Sequence, residues 1–377
     1  MDFETLCIHP VKKIKDAAGA IATPIYQSAT FAHPGLDEST GYDYTRQQNP
    51  TREQLEYVVA GLEGADDAIA YASGMAAITV FMELFAPGDH IVAADDLYGG
   101  THRLFGCISS KNGLVFSYAE TTQQIIAAVR PETKAIFLET PTNPMMRVFD
   151  IAAVAEAVRG RDILVIVDNT FLTPYYQKPL LLGADVVVHS GSKYLSGHND
   201  TLAGILCIKG TALAEKLRFI TKTTGSALAP FDSFLLIRGI KTLAIRMDRQ
   251  QQTAIRIAEW LSEQKQIATV NYPGLRTHPD YELSNRQASG FGAMISFSVK
   301  DAGLVSRVLG RVNVIRYAES LGGTETLITY PMLQTHADIP ESERLRKGID
   351  NRLLRLSVGL ESTSDLIADL AQAIESL

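Results

Sequence analysis

The chain has 377 residues, of which 46% are hydrophobic and 20% are charged, and its formal net charge is −7 at pH 7. This length exceeds one ordinary core and favours a large domain with a smaller one, in a chain of globular composition. The negative charge argues against a nucleic-acid surface, and the sequence lacks the run of about 18 apolar residues that would predict a membrane span.

The cysteines, the histidines and the start of the chain narrow the class of protein. Cys7, Cys107 and Cys207 are far apart and form no CxxC, so we expect reduced thiols in a cytoplasmic protein. The start, MDFETLCIHP, has no basic segment followed by an apolar one, so no secretory signal is predicted. The eight histidines show no HExxH or paired-ligand spacing, so no metal site is expected.

Residues 1–50 carry Pro, Gly and polar side chains without a sustained hydrophobic period, as in ATPIYQSATFAHPGLDESTGYDYTRQQNPTR. We expect this segment to be an arm that contacts a neighbouring subunit, because it has no core of its own. Tyr44 and Arg46 lie on the arm, and an arginine suits phosphate recognition. The arm is therefore predicted to serve the site of a neighbour.

Residues 51–240 alternate short apolar runs with helical patterns. The runs HIVAAD, KAIFLET, ILVIVDNT and ADVVVHS are separated by the helical patterns GMAAITVFMELF, TQQIIAAVR and DIAAVAEAVRG. This alternation predicts a parallel sheet covered by helices on both sides. Ligands of such sheets bind at the carboxyl ends of the strands, where Asp168 and residues 190–193 fall.

Residues 241–377 are predicted to form a smaller α+β domain. A long amphipathic helix, RGIKTLAIRMDRQQQTAIRIAEWLSEQ, would join it to the large domain. The strand candidates AMISFSV and LLRLSVG follow, and the segment SDLIADLAQAIESL reads as a closing helix.

Lys193 comes three residues after the end of the strand VVVHS, whose last residue is Ser190, and Ser192 stands directly before it. A lysine buried at this position would be neutral or covalently linked, because burial of its charge is costly. A neutral amine can condense with the aldehyde of pyridoxal phosphate, and the two hydroxyls would then donate to the phosphate. The alternatives are a surface lysine and an SxxK serine hydrolase motif beginning at Ser190, although the SDN and KTG that accompany that motif do not occur.

Asp168 and the start of the helix GMAAITVFMELF offer further contacts for such a cofactor. A carboxylate at the end of a buried strand needs a cationic partner, and a pyridinium nitrogen would supply one; a helix N-cap is the alternative. Ser73, Gly74 and Met75 stand at a helix start, where free N–H groups favour an anion.

Three more side chains are candidates for contacts with a ligand, and each of them could instead have an ordinary structural role. Tyr98, in DDLYGGTHRLF, could stack on a planar heterocycle or pack into the core. Arg103, in the same stretch, is a candidate substrate contact or a solvated helix residue. Arg355, in the apolar strand LLRLSVG, needs an anionic partner, which is either a substrate carboxylate or a structural acid.

Together these stretches resemble the Cys/Met metabolism family of pyridoxal-phosphate enzymes, the transsulfuration group. The matching stretches follow one another along nearly the whole chain: YDYTRQQNPTR, ASGMAA, DLYGGTHRLF, ETPTNP, VDNTF, HSGSKYLSGHND, AESLGGTETLITYP, THADIP and LLRLSVGLE. The resemblance implies the type I, aspartate-aminotransferase-like α/β fold with a smaller C-terminal domain. It also implies a homotetramer, a dimer of dimers with active sites shared across the dimer, that acts on small sulfur amino acids.

By position, the resemblance assigns a role to each candidate residue. The lysine that holds the cofactor, the partner of its ring nitrogen and its stacking tyrosine correspond to Lys193, Asp168 and Tyr98. The phosphate-binding positions are Gly74, Met75, Ser190 and Ser192, with Tyr44 and Arg46 contributed across the dimer. The positions that hold the α-amino-acid end of the substrate are Asn143, Ser320 and Arg355. The one departure is SGS where many relatives carry SAT, and Ser192 keeps the hydroxyl.

Two acidic residues favour one branch of the family. Asp43 precedes Tyr44 and Glu319 precedes Ser320, and the resemblance places acids there in enzymes that make or cleave cystathionine, a long diamino acid. It therefore implies γ-replacement, in which an O-acylhomoserine and cysteine form cystathionine for methionine biosynthesis, with sulfide as a second acceptor. The alternatives are cleavage of cystathionine by γ- or β-elimination and a cofactor-binding regulator without turnover.

Overall fold

A computed structural model describes residues 1–14, 16, 18–337 and 339–375, and it contains two β-sheets. The strands of the first sheet are β1 (Asp67–Tyr71), β2 (His90–Ala94), β3 (Val115–Ala119), β4 (Thr133–Glu139), β5 (Leu164–Asp168), β6 (Val186–Ser190) and β7 (Gly204–Ile208). Their order is β1-β7-β6-β5-β4-β2-β3. The strands from β2 to β6 pair in parallel, whereas β7 is antiparallel to β1 and β6. The predicted parallel-rich sheet is confirmed.

Helices surround this sheet, and their ends follow local signals. They are α1 (Phe3–Ile8), α2 (Pro50–Glu63), α3 (Gly74–Met82), α4 (Gly99–Arg103), α5 (Thr122–Ala127), α6 (Ile151–Ala157), α7 (Thr173–Tyr176), α8 (Thr211–Thr224) and α9 (Pro230–Ile240), with a π-helical turn at Leu104–Ser109 and a 3₁₀ turn at Pro179–Leu182. In α2, Asn49 Oδ1 accepts from the Thr51 N–H at 3.0 Å, Pro50 takes the first position, and Gly64 ends the helix with φ +74°. These are the expected start and stop residues of a helix.

The rest of the chain builds the second sheet. Its strands are β8 (Ile267–Asn271), β9 (Met294–Val299), β10 (Arg316–Tyr317), β11 (Leu327–Thr329) and β12 (Leu353–Ser357), in the order β10-β11-β12-β9-β8. All neighbours are antiparallel except β10 and β11. The helices of this part are α10 (Leu243–Glu263), α11 (Tyr281–Gln287), α12 (Gly303–Arg311), α13 (Glu341–Lys347) and α14 (Thr363–Ile374).

The long helix predicted over residues 238–264 is present as α10, but it does not begin at residue 238. Instead, α9 ends at Ile240 and α10 begins at Leu243. The buried guanidinium of Arg246, in α10, donates to the carbonyl of Gly239 at 2.9 Å and so bonds the last turn of α9. A Cβ on Gly239 would lie 2.1 Å from the carbonyl oxygen of Ser196, so α9 also touches the backbone that follows β6. These contacts with distant residues determine where the helix breaks. The break therefore cannot be predicted from the helical periodicity of the sequence.

The arm is less irregular than predicted, since it includes α1 with a buried Cys7. We propose residues 1–50, 51–240 and 241–377 as arm, large domain and small domain, because the two sheets fall on either side of residue 240. Among the described residues, no helix combines the length and the apolar character needed to cross a membrane.

Gly204, the first residue of β7, lies against the backbone before α3. A Cβ there would lie 2.1 Å from the carbonyl oxygen of Ser73 and 2.7 Å from the backbone nitrogen of Gly74. We therefore expect Gly204→Ala to lower the free energy of unfolding by about 1–3 kcal/mol, because two backbone segments must separate. Gly61, inside α2, has no atom within 4 Å of its Cβ position.

Gly61→Ala is thus the matched control, and it should raise the free energy of unfolding by about 0.5–1 kcal/mol. Urea unfolding measures both variants. A Gly204→Ala protein as stable as the parent would contradict the close approach of the two segments.

Candidate active site

A cavity of about 210 Å³ lies where the ends of the parallel strands face the second sheet. Glu139, Asp168 and Ser190, the last residues of β4, β5 and β6, line it, and Arg355 of β12 lines it from the second sheet. Ligands bind at this edge of open α/β sheets. The other residues of the wall are Ser73, Gly74, Met75, Ile78, Tyr98, Pro141, Asn143, Thr170, Phe171, Ser192, Lys193, Leu202, Glu319, Ser320, Leu321 and Thr335.

Lys193 reaches the cavity from the loop after β6. Its Nζ donates a hydrogen bond to Ser320 Oγ at 2.9 Å. Burial and the positive charge of Arg355 lower the pKa of the Lys193 amine to about 8, and the negative charge of Glu319 opposes this shift. A fraction of the amine is therefore neutral near pH 7 and can act as a nucleophile or a base.

The serine hydrolase alternative would require the hydroxyl of Ser190 against the amine of Lys193. Ser190 instead contacts Lys193 through its carbonyl oxygen, which accepts from the Lys193 backbone N–H at 3.2 Å. The hydroxyl that receives the amine belongs to Ser320. This geometry does not favour an SxxK nucleophile.

Asp168 belongs to a short chain of hydrogen bonds that ends at Ser190. Asp168 Oδ1 accepts from the Thr170 hydroxyl at 2.5 Å and from the Thr170 N–H at 3.0 Å. Thr170 Oγ1 in turn accepts from the Ser190 N–H at 2.8 Å. Burial raises the pKa of the Asp168 carboxyl, whereas the Thr170 hydrogen bonds and the nearby His189 oppose the rise. A cationic group bound in the cavity would stabilise the ionised carboxylate further.

The start of α3 meets Ser190 at one end of the cavity. Ser73 caps this helix with its side chain, and the first N–H groups, those of Gly74 and Met75, have no acceptor within the helix. A Cβ on Gly74 would lie 3.2 Å from the Cβ of Ser190, so the helix end and the serine are in contact. The Ser192 hydroxyl already bonds the backbone just before β7. Free N–H groups and a serine hydroxyl together form an anion site.

Tyr98 stands just before α4, with its ring folded over Gly100. A Cβ on Gly100 would lie 2.5 Å from Tyr98 Cε1 and 3.1 Å from Met75 Sδ. The Tyr98 N–H donates to Glu139 Oε2 at 2.8 Å, which fixes the backbone at this point. The residue is 41% exposed and lines the cavity, so part of the ring is available to stack on a planar ligand.

Arg355 is a buried cation whose partners are neutral. Its Nη1 donates to Asn143 Oδ1 at 2.8 Å, and its Nη2 donates to the Ser320 carbonyl at 3.1 Å and to Thr329 Oγ1 at 3.3 Å. The buried Nε has no hydrogen-bond partner among the described residues. Burial lowers the pKa of the guanidinium to about 10. A buried guanidinium with an unused donor is suited to a carboxylate ligand.

The donor set in this cavity fits pyridoxal phosphate. An amine with a lowered pKa (Lys193) matches the aldehyde, and a buried carboxylate (Asp168) matches the ring nitrogen. The ring of Tyr98 matches a planar heterocycle, and the start of α3 matches a phosphate. The Arg355 Nε, which has no hydrogen-bond partner among the described residues, can donate to the carboxylate of an amino acid.

Four predicted residues lie outside the cavity wall of their own chain: Asp43, Tyr44, Arg46 and Arg103. The guanidinium of Arg46 bonds the carbonyl of Lys222 and lies 5.6 Å from the centre of the Tyr44 ring. Arg103 is exposed at the end of α4. The roles of the arm residues in the site of a neighbouring chain stay predictions.

Sequence reasoning missed three polar residues of the wall. Glu139 ends the predicted strand KAIFLET, so the strand-end rule that found Asp168 was also available for it. Thr170 follows Asp168 by two positions and could have been proposed as its hydrogen-bond donor. Thr335 opens the matching stretch THADIP but was given no role; it reaches the cavity from a loop of the second part of the chain.

Comparison with known proteins gives matches over the whole chain. The family described as Cys/Met metabolism PLP-dependent enzyme matches residues 4–375. The chain is 44% identical over 379 aligned residues to the cystathionine gamma-lyase of Bacillus subtilis (strain 168), covering 100% of both chains. It is 45% identical over 377 residues to the cystathionine gamma-synthase of Haemophilus influenzae, covering 99% of this chain and 98% of that one.

The crystal structure of cystathionine gamma-lyase from Lactobacillus plantarum, complexed with L-serine, has the same fold. It matches with a TM-score of 0.97 at 43% identity, covering 99% of this chain and 98% of that chain. The similarity therefore includes every segment that forms the cavity.

The lowered pKa of Lys193 predicts a pH-dependent stability. The pKa of Lys193 is about 8 in the folded chain against an ordinary lysine value of 10.5, so the unfolded state binds more protons between these values and stability rises with pH there. Lys193→Met should therefore stabilise the cofactor-free protein at pH 7, and the part of this gain due to charge, about 3 kcal/mol, should vanish toward pH 10.5.

Urea unfolding at a series of pH values measures this difference. Lys265→Met, which removes an exposed lysine, is the control and should show no such trend. A gain in Lys193→Met that stays constant from pH 7 to pH 10.5 would show that the folded chain does not disfavour the charged amine.

Proposed function

Since this chain belongs to the Cys/Met metabolism family of PLP-dependent enzymes, we propose that it catalyses the cystathionine γ-synthase reaction. The Cγ–O bond of an O-acylhomoserine breaks, the thiol sulfur of cysteine forms the Cγ–S bond of cystathionine, and the carboxylic acid leaves. Sulfide with O-acetylhomoserine is a second reaction of the same site. The family as a whole uses pyridoxal phosphate, and its members similar to this chain act on small sulfur amino acids.

The position of Glu319 carries this proposal. Glu319 lines the cavity, and its negative charge acts on both Lys193 and Arg355. The reaction joins two amino acids, so the site must hold a second ammonium group besides the one that reacts. An acid in the cavity wall supplies the opposite charge for it, and Asp43 from a neighbouring arm would supply another.

Several residues would hold the cofactor, which supplies an electron sink for the substrate carbons when bound. Lys193 would hold its aldehyde end and Asp168 its ring nitrogen, with the ring of Tyr98 stacked on the heterocycle. The phosphate would be held by Gly74, Met75, Ser190 and Ser192.

Lys193 is the group that would move protons on the substrate. A base works best when its pKa lies near the working pH, and the pKa of about 8 meets this condition. The Ser320 hydroxyl at 2.9 Å directs the amine along the cavity. Tyr98, whose backbone is bonded to Glu139, would assist proton transfer at the leaving group.

Cleavage of cystathionine is the second candidate. A cystathionine gamma-lyase matches the chain as well as a gamma-synthase does, at 44% and 45% identity. The proton-transfer residue and the carboxylate-binding residue would be the same in both directions. The acidic pair suits cystathionine in both directions, so we place synthesis first because the stretch STGYDYTRQQNPTR resembles that of bacterial γ-synthases.

We also propose a homotetramer, a dimer of dimers, in which each arm completes the cavity of a neighbour. Tyr44 and Arg46 do not line the cavity of their own chain. The arm also exposes large apolar side chains, with Ile21 98% and Leu36 94% accessible. Exposure of this kind favours burial against another subunit.

A two-substrate assay tests the direction of the reaction. The protein loaded with pyridoxal phosphate is incubated with O-acetylhomoserine or O-succinylhomoserine plus cysteine, and separately with cystathionine alone. We expect cystathionine to form faster than keto acid is released. Lys193→Ala should lose both activities by at least about 10²–10⁴-fold, because it removes the proton-transfer group. Faster keto-acid release from cystathionine would reject synthesis as the main reaction.

Arg355→Leu should mainly raise KM for the acylhomoserine. A charge-assisted hydrogen bond to a carboxylate is worth about 1.5–3 kcal/mol, which corresponds to roughly 10- to 150-fold in KM. Arg352→Leu is the matched control, since Arg352 is exposed and pairs with Asp350. Steady-state kinetics separate the two constants, and a large fall in kcat at unchanged KM would contradict the assigned role.

A further inference from the structure

A second buried carboxylate lies beside Asp168, and the proposed chemistry gives it no charge to neutralise. Glu139 ends β4 as Asp168 ends β5, and the two residues are direct partners in the parallel pairing of these strands. Both line the cavity, and Glu139 is only 5% exposed. Side chains at paired positions project from the same face of a sheet, with strands about 4.8 Å apart.

Two carboxylates placed in this way cannot both be ionised at low cost. Like charges at short range and in low dielectric repel strongly, so one group of such a pair keeps its proton. The question is then which of Glu139 and Asp168 carries the negative charge.

The hydrogen bonds favour the charge on Asp168. Its Oδ1 accepts two hydrogen bonds from Thr170, at 2.5 Å and 3.0 Å, and His189 lies near enough to stabilise the anion. Among the described residues, Glu139 accepts one hydrogen bond, from the Tyr98 N–H to Oε2 at 2.8 Å. A carboxylate that accepts more hydrogen bonds holds its negative charge more readily.

Most of the charged groups around Glu139 also favour its neutral form. Asp168 on β5 and Asp96, just after β2, both disfavour its ionised form, whereas the positive charge of Arg355 on β12 favours it. Together with burial, these acids raise the pKa of the Glu139 carboxyl well above its ordinary value.

We propose that Glu139 is a positioning residue that works as a neutral carboxylic acid: it holds the backbone of Tyr98 and leaves Asp168 as the single negative charge of the pair. This inference deepens the cofactor site described under the proposed function. A neutral Glu139 keeps Tyr98 in the cavity wall, and it reserves the ionised Asp168 for the cationic ring nitrogen.

Infrared spectroscopy of the full-length protein tests the protonation state directly. The difference spectrum between the parent protein and Glu139→Gln at pH 7, recorded with and without pyridoxal phosphate, should contain the C=O stretch of a protonated carboxylic acid. Glu132→Gln, which removes an exposed glutamate just before β4, is the control and should show the loss of a carboxylate band instead. A carboxylate band lost in Glu139→Gln would overturn the proposal.

Cofactor affinity supplies a second readout through fluorescence titration with pyridoxal phosphate. Glu139→Gln keeps an acceptor for the Tyr98 N–H and should bind within about twofold of the parent, whereas Glu139→Leu removes it and should bind about tenfold more weakly. Equal weakening in both variants would mean that the charge of Glu139 matters, against the proposal.

The two readouts separate this proposal from the proposed function. If Glu139→Leu fails to fold, the comparison of Glu139→Gln with the parent still decides the matter. If the parent protein bound no pyridoxal phosphate, the proposed function would fail, while the infrared band of the cofactor-free protein would still report on Glu139.

Discussion

The hydrogen bond between Lys193 Nζ and Ser320 Oγ joins the two halves of the molecule inside the cavity. Lys193 follows β6 and Ser320 precedes β11, so the amine is buried only when the two sheets are packed together. A Cβ on Gly322, whose φ is +76°, would lie 2.6 Å from the backbone nitrogen of Tyr194. From the other side, Arg246 donates to the Tyr194 carbonyl at 2.8 Å. The unusual acidity of the lysine therefore depends on backbone contacts made from both sides.

Much of the large sheet could be predicted because its central strands are short, apolar on both faces and separated by helices. The direction of β7 could not be predicted in this way. The sequence of β7, GILCI, is as apolar as that of its parallel neighbours. Its antiparallel pairing depends on the connection from β6, residues 191–203, which contains no crossover helix. The break between α9 and α10 depends likewise on contacts with distant residues.

For the site, the rule that ligands bind at the carboxyl ends of parallel strands was sufficient to find Asp168 and Lys193. Arg355 could be proposed as a ligand contact because a cationic side chain in an apolar strand needs an anionic partner. Thr335 opens the matching stretch THADIP, yet its place in the wall could not be predicted, because only the tertiary structure brings its loop to the cavity, where its carbonyl oxygen lies against Gly99. Arg103 was proposed from its neighbourhood in the sequence, and it is exposed outside the cavity wall of its own chain. Its role as a substrate contact stays a prediction.

The cavity is assembled from two sets of residues that come from different sheets. Groups suited to a ring and a phosphate stand on the seven-stranded sheet and α3, whereas Glu319, Ser320 and Arg355 belong to the five-stranded part. If the second set holds the amino acid as proposed, changes in it would alter which amino acid is accepted without altering the groups suited to the ring and the phosphate. New substrate specificities would then require a few replacements on one wall of the cavity. The residues suited to the cofactor on the other wall could stay unchanged.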